Sequence, residues 1–211
     1  MGGRGASSGV GRHRGGGGIK AGDILDTTSF ISARSGYEKT VDDVLGVLNS
    51  VNGQYGYVID DIEIATLSPK AQSAIAYCSG DKIGWNKNFM DGKRLDSAYD
   101  DCVKSGFHPK RGKKSAAEAV AAHEIGHALT HEAGRKMGGL DIDRASTRIV
   151  SEARKKTKHR GVVQMASKVS KYATESNAEA IAEAFSDVYC NGSRAKSESR
   201  AIVSVMNSYL K

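Results

Sequence analysis

A chain of 211 residues is long enough for one domain with its own core, and 31 basic against 24 acidic residues leave a formal charge of +7. Three cysteines, Cys78, Cys102 and Cys190, with no C-x-x-C pair, argue against a disulfide scaffold and for a reducing compartment. No apolar run is long enough to span a bilayer and no signal-peptide core opens the chain, so no membrane association and a cytoplasmic location are expected.

Residues 1–22 are rich in glycine, serine and arginine and read as a disordered basic arm, which we extend to residue 35, leaving 36–211 as the folded domain. Order is expected from about Thr40, where Val41, Val44, Leu45, Leu48 and Val51 fit one helical face that Asn52-Gly53 would end. The period then changes to two. Ile62, Ile64 and Thr66 alternate with other residues, 74–78 is a short apolar run, Ser79-Gly80-Asp81 reads as a turn, and 83–89 follows it. Tyr57-Val58-Ile59 is a candidate extension of the first strand.

From Arg94 the pattern is helical. Leu95, Ala98, Tyr99, Cys102 and Val103 mark one helix, ended by Gly106, and a basic connector containing His108-Pro109 follows. Later helices are marked by Ile142 to Ala153, by Val162 to Val169, by an alanine-rich stretch from Ser176 to Asn191-Gly192, and by Ile202 to Leu210. Strands first and helices afterwards give an α+β fold: a small, mostly antiparallel sheet followed by a helical part. The basic clusters Lys104, Lys110, Arg111, Lys113, Lys114 and Arg154, Lys155, Lys156, Lys158, Arg160 read as solvated helix ends. With neither a helix-turn-helix signal nor an aromatic stacking stripe, nucleic acid is not the expected partner.

Residues 121–129, Ala-Ala-His-Glu-Ile-Gly-His-Ala-Leu, contain H-E-x-x-H. Ser115-Ala116-Ala117-Glu118 is a capping box and the alanines after it favour helix, so the motif falls inside a helix. Residues four apart share a helical face, so His123 and His127 can grip one Zn²⁺, with Glu124 placed to take a proton from water at the metal. A catalytic zinc wants a third protein ligand. His131 lies about 12 Å from His123 along the helix axis, too far to share a metal with both histidines. A third histidine six residues after His127 is absent, since Ala133 stands there. Glu179, Glu183 and Asp187 recur every four residues on a later alanine-rich helix, and such like-charge spacing costs stability that a facing cation would reverse.

On these residues the chain resembles the zincin metallopeptidases, and among them the gluzincins, whose third ligand is a glutamate on a later helix. Residues 172–185, with a tyrosine, then an asparagine and two glutamates four apart, ending Ala-Glu-Ala-Phe, are similar to the catalytic domain of anthrax lethal factor. Residues 106–192 also look like zincin-like domains of bacteriophage head and minor capsid proteins. The resemblance implies a zincin-like fold, Zn²⁺ as cofactor, and Glu179 as third ligand. Glu183 would then orient a ligating histidine, and Tyr172 would donate to the oxyanion. Ser176-Asn177-Ala178-Glu179 is, however, a second capping-box sequence, and a Glu179 used as a cap would shift the register to Glu183 as ligand and Asp187 as orienter. The spacing to Tyr172 favours the first register. The resemblance further implies that an edge strand before the motif helix holds an extended peptide, and residues 83–89 occupy that place.

The expected activity is zinc-dependent endopeptidase hydrolysis of a protein or peptide by a phage- or prophage-encoded enzyme, with phage capsid components or host proteins as substrates, in a bacterial cytoplasm or on the virion. The alternative is a non-catalytic virion or accessory protein that keeps the zincin fold. Glu124 separates the two, since a structural zinc site has no need of it.

Overall fold

The computed structural model describes residues 6–9, by their main chain, and residues 19–56 and 58–211. Residues 1–5 and 10–18 of the expected disordered arm, including Arg4, Arg12, Arg14 and glycines 15–18, lie outside the described residues. The fold is α+β. In chain order the elements are β1 (Ala6–Gly9), β2 (Ile24–Ser29), α1 (Arg34–Tyr55), β3 (Asp61–Leu67), β4 (Ala74–Ser79), β5 (Lys82–Asn86), α2 (Gly92–Lys104), α3 (Ala116–Lys136), α4 (Ile142–Thr157), α5 (Val162–Val169), α6 (Asn177–Asn191) and α7 (Ser197–Leu210). Among the described residues no helix is long and apolar enough to cross a membrane.

Four strands, β4-β5-β3-β2, form a mixed sheet, and the four residues of β1 add to its β4 edge. β4 and β5 are joined by the turn at Gly80, whose φ of +67° a side chain would strain. β5 then runs parallel to β3, with Ile83 opposite Ile62 and Trp85 opposite Ile64. The remaining pairings are antiparallel. Two expectations change here. Residues 83–89 are not an edge strand: 82–86 form β5, paired on both sides, and 87–89 are a 3-10 turn. The reason is burial on both faces, since Ile83, Gly84, Trp85 and Asn86 are all enclosed, the signature of a central strand. Across the sheet the Tyr77 ring lies over Gly84, where an added β-carbon would stand 2.1 Å from it.

Order also begins earlier than Thr40. β2 pairs antiparallel with β3, inside the span assigned to the arm, and Phe30 after it is buried against Trp85, ring centroids 6.0 Å apart. At the other end of α1 the helix runs past Gly53 and stops at Gly56, which takes φ +80°. Val58 and Ile59 are not in a strand.

The helices build around α3. It packs against α1, α2, α4, α6, α7 and the sheet strand β4, and it is buried along most of its length. Alanines at 116, 117, 119, 121, 122, 128 and 133 let these neighbours approach. The main core joins one sheet face to this helical layer through Val41, Val44, Ile75, Ile83, Trp85, Val120, Ile125, Leu129, Ile149, Ile181 and Met206. On the other face of the sheet a smaller cluster collects Ala65, Leu67, Ala71, Ala74 and Tyr77. All three cysteines are free. Arg154, Lys155 and Lys156 fall in the last turn of α4, where cations suit the helix dipole.

Candidate metal centre

The capping box that opens α3 closes in both directions. Ser115 Oγ accepts from Glu118 N at 3.1 Å, and Glu118 accepts from Ser115 N at 2.8 Å. Two turns on, His123, Glu124 and His127 are 2%, 0% and 1% exposed, an unusual degree of burial for such polar groups. α6 crosses this turn at very close range. A β-carbon on Gly126 would stand 2.8 Å from Ala182 Cα, so only glycine allows the approach. Glu179 and Glu183 flank Ala182 on α6, and the crossing delivers both to the histidines.

Three atoms then face one another: His123 Nε2 and His127 Nε2 are 3.3 Å apart, and Glu179 Oε2 is 3.2 Å from the first and 3.5 Å from the second. Donors placed tetrahedrally about 2.05 Å from a zinc ion stand about 3.3 Å apart, so the triangle has the size of one face of that tetrahedron. Glu179 Oε2 is buried, and its near neighbours at 3.2 and 3.5 Å are the Nε2 atoms of the two histidines, an arrangement that suits a cation at that point. His123, Glu124 and His127 also form a group whose ligand atoms lie within 4.8 Å of one another; His131 is outside it. The residues present are therefore compatible with a zinc ion, which His123, His127 and Glu179 would hold.

The cluster is strongly coupled. Burial pushes the Glu179 carboxyl up, but the charges and hydrogen bonds of His127 and His123 outweigh it and hold it down at about 2. Burial pushes His123 down, and its hydrogen bonds to Glu179 and Glu183 reverse this and hold it well above 6.5.

The second capping-box sequence does not close. Ser176 Oγ accepts from Glu179 N at 3.1 Å, but the Glu179 carboxylate turns inward to the histidines instead of back to Ser176. Glu183 sits one turn further, on the other nitrogen of His123: Nδ1 donates to Glu183 Oε1 at 2.9 Å. That bond keeps a proton on Nδ1, so that Nε2, once it loses its own proton, presents its lone pair to the triangle. Asp187 is not part of the centre. It accepts from Asn191 Nδ2 at 2.8 Å and from Lys196 N at 3.0 Å, and so ties the end of α6 to the start of α7. The alternative register, with Glu183 as ligand and Asp187 as orienter, does not match this geometry.

Tyr172 lies in a 3-10 turn tied to the connector through Tyr172 N and Phe107 O at 3.1 Å. Its ring stacks on that of His123, centroids 5.8 Å apart and planes 17° from parallel. Burial, then the nearby Glu179, Glu124 and Glu183 carboxylates, push its hydroxyl well above the usual range, so it stays a proton donor.

Two contributors escape a motif-based reading. His108 Nδ1 donates to the same Glu183 Oε1 at 2.9 Å, and Ser170 Oγ donates to Glu183 Oε2 at 2.7 Å. His108 belongs to the connector that reads as merely basic, and only its pairing with Pro109 sets it apart. Ser170 carries no signal in the sequence at all. No family model, curated protein or solved structure matches this chain.

Proposed function

We propose that the chain is a zinc-dependent peptidase of zincin type that hydrolyses peptide bonds in a protein substrate. The observation that carries the reading is the triangle of His123 Nε2, His127 Nε2 and Glu179 Oε2, with edges of 3.2–3.5 Å, beside a buried glutamate that is not one of its corners. His123, His127 and Glu179 would hold a zinc ion, which would supply Lewis-acid polarisation of the scissile carbonyl and of the attacking water. Glu124 takes the proton of that water and hands it to the departing amine, the general-base and then general-acid role of an H-E-x-x-H glutamate. Tyr172, kept protonated by burial, donates its O–H to the oxyanion. Glu183 holds the His123 ring in the required tautomer.

The resemblance of residues 106–192 to phage head-protein domains supports a phage structural or host protein as substrate, in a bacterial cytoplasm or on the virion. The deciding experiment measures the metal content of purified protein together with cleavage of unfolded casein, with and without chelator. About one Zn²⁺ per chain and chelator-sensitive cleavage are expected. Zinc binding with no cleavage, in the parent and across several unfolded substrates, would favour the non-catalytic virion protein instead.

A further inference from the structure

We propose that His108 is a positioning residue of the metal centre, one that holds Glu183 in place so that Glu183 can in turn hold His123. The inference rests on the reading of His123 as a metal ligand and goes beyond it by assigning a role to a residue outside both helices that carry the motif.

Two imidazoles share one oxygen. His108 and His123 each donate Nδ1–H to Glu183 Oε1 at 2.9 Å, while Ser170 occupies Oε2 at 2.7 Å. Glu183 is 1% exposed, so water does not compete for these positions. A carboxylate so held has a defined plane, and the direction in which it accepts from His123 is set by the other two donors. The His108 ring is itself fixed. It stacks on Tyr99 with centroids 5.1 Å apart and planes 4° from parallel, and it meets Phe107 and Tyr172 edge-on at 4.9 and 5.5 Å. Tyr99 is anchored in turn through its hydroxyl to Pro109 O at 3.3 Å.

Stability alone does not account for a histidine here. Its Nε2 is buried with no hydrogen-bond partner among the described residues, and an orphaned buried nitrogen is a cost that an apolar ring would not carry. Among the described residues, the hydrogen bond of the side chain goes to the carboxylate that orients His123.

The test uses the full chain in three forms: parent, His108→Phe and His108→Asn. Phenylalanine keeps the stacking on Tyr99 and removes the N–H. Asparagine places an amide N–H about where Nδ1–H stands. Zinc affinity is read by competition with a chromophoric chelator, and the His123 Nδ1–H proton by NMR. His108→Phe is expected to fold, to bind zinc roughly 10–100-fold more weakly, and to shift or broaden the Nδ1–H signal. His108→Asn is expected to recover most of the affinity and the signal. Equal zinc affinity in parent and His108→Phe overturns the proposal, as does a His108→Asn no better than His108→Phe. A His108→Phe that fails to fold leaves the decision to His108→Asn, whose Nδ1–H signal and affinity must then match the parent. A parent that binds no zinc is a separate result: it overturns the metal centre itself, and the role of His108 with it.

Discussion

Gly126 of α3 and Ala182 of α6 meet where no side chain fits, 2.8 Å between a would-be β-carbon and the Ala182 Cα. This contact sets how far α6 stands from the histidines. Alanine is the better helix former by roughly 1 kcal/mol, so propensity alone would favour Gly126→Ala. The clash is with main chain, which cannot rotate away, and so it wins. We expect Gly126→Ala to lose about 1–3 kcal/mol of stability and to bind zinc more weakly, because Glu179 and Glu183 move with α6. Thermal melts and chelator competition read both; a variant more stable than the parent would refute the argument.

The three acidic residues of α6 are expected to separate into three behaviours. Glu179→Ala should empty the site. Glu183→Ala should cost roughly 10–100-fold in zinc affinity. It should also cost on the order of 2–5 kcal/mol of stability, since two imidazole N–H groups lose their acceptor. Asp187→Ala should leave zinc affinity unchanged and cost about 1–3 kcal/mol, because the Lys196 amide loses its partner. An empty site in Glu183→Ala, with Glu179→Ala still loaded, would mean that the ligand register has been misplaced by a turn.

Glu124→Gln and Tyr172→Phe test chemistry without removing a ligand. Both should retain zinc and fold. The first is expected to lower kcat by about 10²–10⁴-fold and the second by about 10²–10³-fold, with KM little changed. A Glu124→Gln protein as active as the parent would rule out hydrolysis by this route.

The metal-free protein should have a narrow stability optimum. Glu179 is held at about 2 against an ordinary 4.5, so its contribution is present above pH 4.5 and fades as pH falls towards 2. His123 is held well above 6.5, so its contribution is complete below 6.5 and fades as pH rises through its folded value. Melts in chelator should therefore be highest between pH 4.5 and 6.5. Zinc competes with the His123 proton, so metal affinity should increase with pH through neutrality. Melting temperatures in chelator that rise steadily into alkaline pH would show that the cluster does not govern stability.

The motif helix was legible because periodicity and capping act within a few residues: Ser115, Glu118, His123 and His127 all lie within four turns. The acidic helix was legible in its spacing but not in its register. Ser115-Ala116-Ala117-Glu118 and Ser176-Asn177-Ala178-Glu179 are alike on paper, yet only the first closes as a box. The difference is made by His123 and His127, which attract Glu179 across a contact formed only in the tertiary fold. Strand order was hidden for the same reason. Nothing in the alternation of Ile62, Ile64, Ile83 and Trp85 says that β5 lies parallel to β3 rather than at an edge. β2 escaped because all its residues but Ile24 are exposed, leaving no alternation to read.

The centre is assembled from remote parts of the chain, with His108 and Glu183 75 residues apart. An unfolded chain cannot offer the same set of donors, so with a metal bound there, occupancy and folding would become one linked equilibrium. Free ligand at 100 times its dissociation constant adds about 2.7 kcal/mol to the native state. A chelator would then act as a mild denaturant, and proteolytic lifetime would track the concentration of free metal. The fraction of chains that survives a protease-rich environment would be set by mass action at the centre of the molecule, before any substrate is met.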